Sequence, residues 1–439
     1  MQPMTRSLLR PAVTACLLAV ASCGQPDPAG PAQQQQPARA CGFERPSPRV
    51  VLATLLGRDV VLVHADGSRT VAYQFPALDE APDSRPYWSG QLAAAGDFLV
   101  VSRTSNHYAN PNDVVTSHVL LGTDGAVRWA KTLTGRSRAV VGEGGTLAVD
   151  VREPTPGTLV LSPDGSERLH DFVLLGTFAS DGRLPGWTGS SAPVHGWLDP
   201  ATGVVQPFTG PFAELETPAG HVVLLVGATL VDERPQGTRS VALPHTSFAI
   251  SEVQPDQALL TDGAGYFRAD FDDGSLRAVP LELPAGLRPL LGDATPTLAP
   301  NGAVCVTLRD DRAAGLYCSA RGSAPWTRQG QAVPAPLWIL QRAAASLVLE
   351  AHTQPVRPGD TSPRDFAATE ADPRMQLVSL GDARARSLPE GARLPRLSPD
   401  GRCVAYWDSG HLDVLGLGAA PPVTLLDDAE PALVTAWLP

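Results

Sequence analysis

Apolar residues along this chain come in short runs, as at Val50 to Leu56, Val60 to Ala65 and Thr70 to Phe75, and turn residues separate one run from the next. The separators are Asp-Gly, Pro-Asp-Gly and Gly-Gly, which favour tight reversals because an Asp side chain bonds nearby backbone and Gly tolerates left-handed conformation. Long helical periodicity is missing, so the pattern predicts strands throughout. The composition agrees: 43 Pro and 41 Gly stand beside only 18% charged residues.

The units repeat. Leu397-Ser-Pro-Asp-Gly-Arg-Cys-Val-Ala-Tyr-Trp407 and Leu298-Ala-Pro-Asn-Gly-Ala-Val-Cys-Val-Thr-Leu308 each read as strand, tight turn, strand, with looser copies at Phe178 to Trp187, Ala94 to Val101 and Thr217 to Leu224. A third and fourth strand follow each, joined by a second turn, as at Asp66-Gly67, Asp124-Gly125, Asp164-Gly165, Gly203, Asp273-Gly274 and Gly322. Four short strands in about 44 residues make the blade of a β-propeller. The chain ends in Ala432-Leu-Val-Thr-Ala-Trp-Leu-Pro439, an innermost strand with no blade after it, whereas its first blade has three strands and no innermost one. Joining the two closes the ring and removes unpaired edges. The expected fold is therefore an all-β propeller over residues 41–439. Turn counting gives nine units; weak units are easily overcounted, so eight blades are expected within a range of seven to nine.

The Ser-Pro-Asp-Gly units resemble the WD40-like repeat of the TolB propeller family, two of them well. Members of that family often carry an α/β domain ahead of the propeller, and none is visible here. Thr123-Asp124-Gly125-Ala126-Val127-Arg128-Trp129 and Asp199 to Val205 resemble, more weakly, the Asp-x-x-x-Gly-x-x-x-Trp turn of quinoprotein-like propellers, which include the BamB lipoproteins of outer-membrane assembly.

Ahead of the ring, Arg6 and Arg10 precede an apolar run from Pro11 to Ala21 that ends in Val20-Ala21-Ser22-Cys23. The run is too short to span a bilayer, and the segment resembles a bacterial lipoprotein signal with its lipobox. The resemblance implies removal of residues 1–22, lipid on Cys23, and, because Gly24 rather than Asp follows, delivery to the outer membrane. An ordinary secretory leader with a stray cysteine is the alternative. Residues 23–40, rich in Pro, Gln and small side chains, read as a flexible lipidated tether.

With Cys16 lost and Cys23 lipidated, Cys41, Cys305, Cys318 and Cys403 remain, and an even number in an exported protein suggests two disulfides with three possible pairings. Folding the hairpin around Asp310-Asp311 places Cys305 opposite Cys318. Cys41 would then pair with Cys403 and tie the start of the domain to its last repeat. Buried free thiols are the other reading.

A net charge of −11 argues against nucleic acid as a partner. Lys131 is the only lysine among 34 basic residues, an arginine preference attributed to a GC-rich genome. Known catalytic signatures are absent from the sequence: no His-Glu-x-x-His, Gly-x-Ser-x-Gly, phosphate loop or Cys-x-x-Cys occurs. Asp270-Phe-Asp272-Asp273-Gly274-Ser275 has Gly where a calcium loop needs Asp or Asn, and reads as a hairpin turn. The eight tryptophans are expected on strands, packing between blades. No catalytic residue, metal or cofactor is assigned.

Two connections between second and third strands are long: Arg103 to Asp113 and His352 to Arg374. The first holds His107, Tyr108, Asn110, Asn112 and Asp113, ring and polar groups suited to a peptide or sugar surface, and these are the candidate ligand residues. The expected function is a membrane-anchored, monomeric, non-enzymatic binding or scaffold module in the cell envelope, for a protein, peptide or glycan. A propeller enzyme acting on cell-wall or imported material and a BamB-like assembly factor are the alternatives.

Overall fold

The computed structural model describes Cys41 and residues 49–438 except 78–85, 108–113, 153–155, 190–191, 218–219, 235, 290–295, 300, 311–312, 334–336, 344–345, 352–373, 381–383, 419–420 and 428–431. Every regular element among these residues is a strand. The strands pair into nine antiparallel sheets, eight of four strands and one, blade 7, in which Arg288–Pro289 and Thr297–Leu298 share the innermost place beside Val304–Arg309. Numbered around the ring, blade 1 holds 50–74 and 432–437, and blades 2 to 9 span 86–134, 139–170, 173–207, 214–242, 249–279, 288–333, 337–387 and 393–426.

The ring closes as the sequence implies. The last strand, Ala432–Trp437, lies innermost in blade 1 and pairs with Val50–Leu56, with Thr435 opposite Thr54 and their hydroxyls 3.0 Å apart. Nine sheets fall at the top of the expected range and equal the turn count. Among the units with looser sequence copies, blade 4 has the shortest innermost strand, Val173–Leu174, and Gly186 faces Gly196 across its two central ones. It forms a sheet of its own because its neighbours supply its core: Phe172, Leu174, Leu184 and Leu198 pack on blade 3, and Trp197 and Phe208 pack on blade 5.

The core is divided in the same way. Nine apolar clusters fill the nine junctions between adjacent blades, so each sheet is buried on both faces. In Cys403–Asp408, for example, Cys403, Ala405 and Trp407 face blade 1 while Val404 and Tyr406 face blade 8. A central strand that must feed two interfaces is apolar at consecutive positions, which explains the unbroken Val and Leu runs. Trp129, Trp197, Trp407 and Trp437 belong to these clusters. Trp326 departs from the expectation: it precedes the strand Thr327–Val333, and its indole N–H donates to Glu282 O at 2.7 Å.

The tight turns share one mechanism. At Asp400 the carboxylate accepts the N–H of Arg402 at 3.0 Å, and Gly401, with φ of 70°, sends its own N–H back to Ser398 O at 2.9 Å. Asn301 repeats the arrangement with Ala303, and Asp66, Asp124, Asp164, Asp181, Asp199 and Asp273 do so at other turns. These side-chain bonds pull several turn carboxylates below the ordinary Asp range; Asp164 is held down first by Ser166. The Asp270 to Ser275 segment is such a turn, with Asp273 accepting from Ser275.

Polar side chains also tie each blade to the next. On the inner ring, Glu214 accepts the N–H of Ile250 at 2.6 Å and Glu252 accepts that of Leu298 at 3.0 Å, satisfying backbone donors that no strand pairs. Farther out, Arg168, Arg239 and Arg268 donate to turn carbonyls of the following blade, at Ala201, Pro255 and Gly302, and Arg386 donates to Gly416 O at the end of a strand of the next blade. The guanidinium suits that role, since one planar group can reach two carbonyls, as Arg268 does with Gly302 and Ala320.

Both expected cysteine pairs are bonded. Cys305 and Cys318 sit opposite each other in blade 7, and Cys41 joins Cys403 beside the seam between blades 9 and 1.

Candidate functional site

Alternating strand direction gives the ring two faces. Turns joining first to second and third to fourth strands lie on one, the turn face, and connections joining second to third strands lie on the other, the loop face. The two long connections leave from the ends of Phe98–His107 and Ser346–Ala351, both second strands, so both belong to the loop face. Tyr108, Asn110, Asn112 and Asp113 lie outside the described residues, as does Cys23. His107 is the last residue of its strand, with its backbone opposite Pro86.

Here the sequence expectation needs correction. Arg103 to His107 belong to the strand and not to the loop; Arg103 pairs with Gly90 on one side and Ser117 on the other. The reason is visible in the interior of blade 2. Ser102, Arg103, Thr104, Ser105, Thr116, Ser117 and His118 are all buried, in a half-blade where the other sheets carry Val and Leu. Their polarity imitates a loop in sequence, but the hydroxyls and the imidazole find partners inside the blade and at the entry to blade 3. Ser102 Oγ lies 2.7 Å from His118 Nδ1, and His118 Nε2 lies 2.6 Å from Ser137 Oγ. Thr104 and Thr116 hydroxyls are 3.1 Å apart, and Thr116 donates to Gly135 O at 2.9 Å. Ser117 and Thr132 hydroxyls meet at 2.9 Å on the other side of the sheet.

Burial pushes the His118 imidazole down to about 4, so it is neutral at physiological pH, with one ring nitrogen donating and the other accepting. A serine hydroxyl against a neutral imidazole has the composition of a nucleophile and its base. Ser102 and His118 are 2% and 1% exposed, however, and no substrate atom could reach them. The network holds the two central strands and the entry to blade 3 in register beneath the loop-face end of blade 2. This platform was missed in sequence; its signal is Ser-Arg-Thr-Ser in mid-strand, where a central strand should be apolar.

A second polar cluster lies toward the turn face of blades 5 and 6. Asp232, fully buried, accepts from His221 Nδ1 at 2.5 Å, from Arg234 Nε at 2.8 Å and from Arg239 Nη2 at 2.6 Å. Burial alone would raise the Asp232 carboxyl, but the bonds from His221, Arg239 and Arg234 outweigh it and hold the group below its ordinary value. Arg239 continues to Asp272 at 2.6 Å and to Asp256 at 3.2 Å, both on turns of blade 6, with its guanidinium over the Phe271 ring. The cluster clamps blade 5 to blade 6.

The turn face also carries an open, largely apolar hollow of about 550 Å³ over blades 2 to 5, lined by Ala93, Val140, Glu143, Phe178 and Gly220 among others. Among the described residues no group of three or more His, Cys, Asp or Glu side chains is placed to share a metal ion. No helix among them is long and apolar enough to cross a membrane.

No protein-family model matches the chain, and no curated protein matches it. Solved structures do. A eukaryotic initiation factor is 10% identical, with a TM-score of 0.46 over 89% of this chain and 98% of that one. The dihydro-heme d1 dehydrogenase NirN, solved in complex with DHE, is 13% identical with a TM-score of 0.40, over 86% of this chain and 73% of that one. A TolB-like protein from Agrobacterium tumefaciens is 10% identical with a TM-score of 0.25, over 78% of this chain and 90% of that one.

Proposed function

We propose that this chain is an envelope lipoprotein whose propeller holds a protein, peptide or glycan on its loop face, without transforming it. The observation that carries the reading is an opposition across the ring. Cys41, the first described residue, is bonded to Cys403, which opens a second strand directly after a turn, and its sulfur also lies against Gly416 at the end of a third strand. Both positions belong to the turn face. The chain thus enters the ring on the turn face, while the long connections of blades 2 and 8 leave from the loop face. Lipid on Cys23 would put the turn face toward the membrane. The loop face, with the rigid polar platform of blade 2 beneath it, would then point to the solvent where a partner arrives.

The test is photo-crosslinking in the protein's own cells from position 108, on the loop-face connection, against position 166, exposed on a turn of blade 3. Capture of one dominant partner from 108 and not from 166 is expected. Capture from 166 alone, or from neither with the protein folded at the membrane, overturns the reading. Residues 104–107 must be left intact, because Thr104 and Ser105 are part of the buried platform.

A further inference from the structure

We infer that the cleft between blades 6 and 7 binds an oxyanion, a phosphate or sulfate group free or carried on a small organic molecule. The inference is independent of the loop-face reading. Arg268, on the third strand Tyr266–Asp270, stands directly opposite Arg277, on the outermost strand Ser275–Val279. Like charges in that cross-strand relation repel. In a chain of net charge −11, carboxylates to separate them are plentiful, yet among the described residues one ion pair alone reaches either guanidinium: Asp273 accepts from Arg277 Nη2 at 2.9 Å in an exposed pair. Arg268 donates Nη1 to the carbonyls of Gly302 and Ala320, at 2.9 Å and 3.4 Å, and carbonyls leave its charge uncompensated. Its Nε and Nη2 have no acceptor among the described residues.

Arg321, exposed on the turn of blade 7, supplies a third guanidinium, whose side chain has no partner among the described residues. The three arginines surround a cavity of about 450 Å³ floored by Val279 and Val304 and edged by Ser323. Gly322 lets that turn press against the floor, for a Cβ there would lie 2.5 Å from Val279 Cγ1. Three guanidiniums with a single ion-paired carboxylate among the described residues, lining a hollow together with Val279 and Val304, match a tetrahedral oxyanion bearing a small organic substituent. The planar forks bind such oxygens in pairs.

The test uses the full chain and three probes, inorganic phosphate, sulfate and glycerol phosphate, each against chloride at equal ionic strength, by calorimetric titration and thermal melting. Saturable binding of at least one probe is expected, with a rise in Tm that chloride does not give. Arg321→Gln should weaken it by about tenfold or more and leave the melting temperature without anion unchanged, since its side chain holds nothing in place. Tighter binding of glycerol phosphate than of inorganic phosphate assigns the site to esters; the reverse assigns it to the free ion. Stabilisation equal to that by chloride, or an affinity that Arg321→Gln does not change, overturns the inference.

Discussion

The two disulfides close loops of very different length, and that difference can be measured. Cys41 and Cys403 are 362 residues apart, Cys305 and Cys318 only 13. If a crosslink stabilises by restricting the unfolded chain, the first contributes about 6 kcal/mol and the second about 3 kcal/mol. Both bonds are packed into apolar clusters, so paired replacement by Ala removes comparable atoms at each site and the difference between the variants reports the loop. For a unit spanning 37–439, with an unfolding entropy of about 2.1 cal/mol/K per residue, the Tm should fall by about 7 °C in Cys41→Ala/Cys403→Ala and by about 3.5 °C in Cys305→Ala/Cys318→Ala. Calorimetry and urea unfolding of both double variants supply the comparison. Equal losses, or a larger loss from the hairpin pair, would refute the claim that the seam bond acts by holding the ends of the ring together.

Further outcomes follow from particular side chains. Because the folded state keeps His118 neutral down to about pH 4 while the unfolded chain takes up a proton near pH 6.5, stability should decline by about 3 kcal/mol between those values. A urea-unfolding series against pH should show that decline in the wild type and not in His118→Gln; parallel curves would exclude it. Asp232→Ala strips the buried acceptor from His221, Arg234 and Arg239 and should cost about 3–5 kcal/mol in denaturant unfolding, a prediction that a loss under 1 kcal/mol contradicts. In blade 4, a Cβ at Gly186 would lie 2.1 Å from Val173 O, whereas one at Gly182 would meet nothing within 4 Å but would sit at φ of 86°. Gly186→Ala should therefore cost about 3 kcal/mol and Gly182→Ala about 1 kcal/mol, and thermal melts showing the reverse order would rule out the close-approach argument.

What could be read in the sequence was local or came in pairs. A turn of the Asp-Gly kind is written within four residues, because the carboxylate, the left-handed Gly and the returning N–H all belong to it. The Cys305 to Cys318 bond follows from the register of one hairpin, and ring closure follows from a spare strand at one end matching a missing strand at the other. The blade count was harder because a blade has no core of its own. Blade 4 holds short strands with Gly186 and Gly196 at its centre, and it is made a sheet by residues of blades 3 and 5 that its own segment does not contain. A similar limit applies to arginine usage. The carbonyl that receives each guanidinium lies tens of residues away, so Arg168, Arg239, Arg268 and Arg386 look in sequence like coding bias and in three dimensions like rivets between blades.

The interior of blade 2 is the instructive failure, since the rule it breaks is sound. Polar residues in an unbroken run normally mark solvent, because burying a hydroxyl or an imidazole without a partner is costly. Here the hydroxyls and the imidazole find partners across a strand: Thr104 with Thr116, Ser102 with His118, Ser117 with Thr132. Such pairing depends on register: Thr104 stands opposite Thr116 and Ser102 opposite His118 between the second and third strands, and Ser117 opposite Thr132 between the third and fourth. An apolar run can tolerate a slip at modest cost. Interlocked hydroxyls cannot, because a shift of one residue turns every one of them to the other face of the sheet. The polar half of blade 2 is thus more exacting about its geometry than the Val and Leu strands around it. Under the proposed binding role, this fixed geometry would steady the strand ends from which the connection of blade 2 leaves on the loop face.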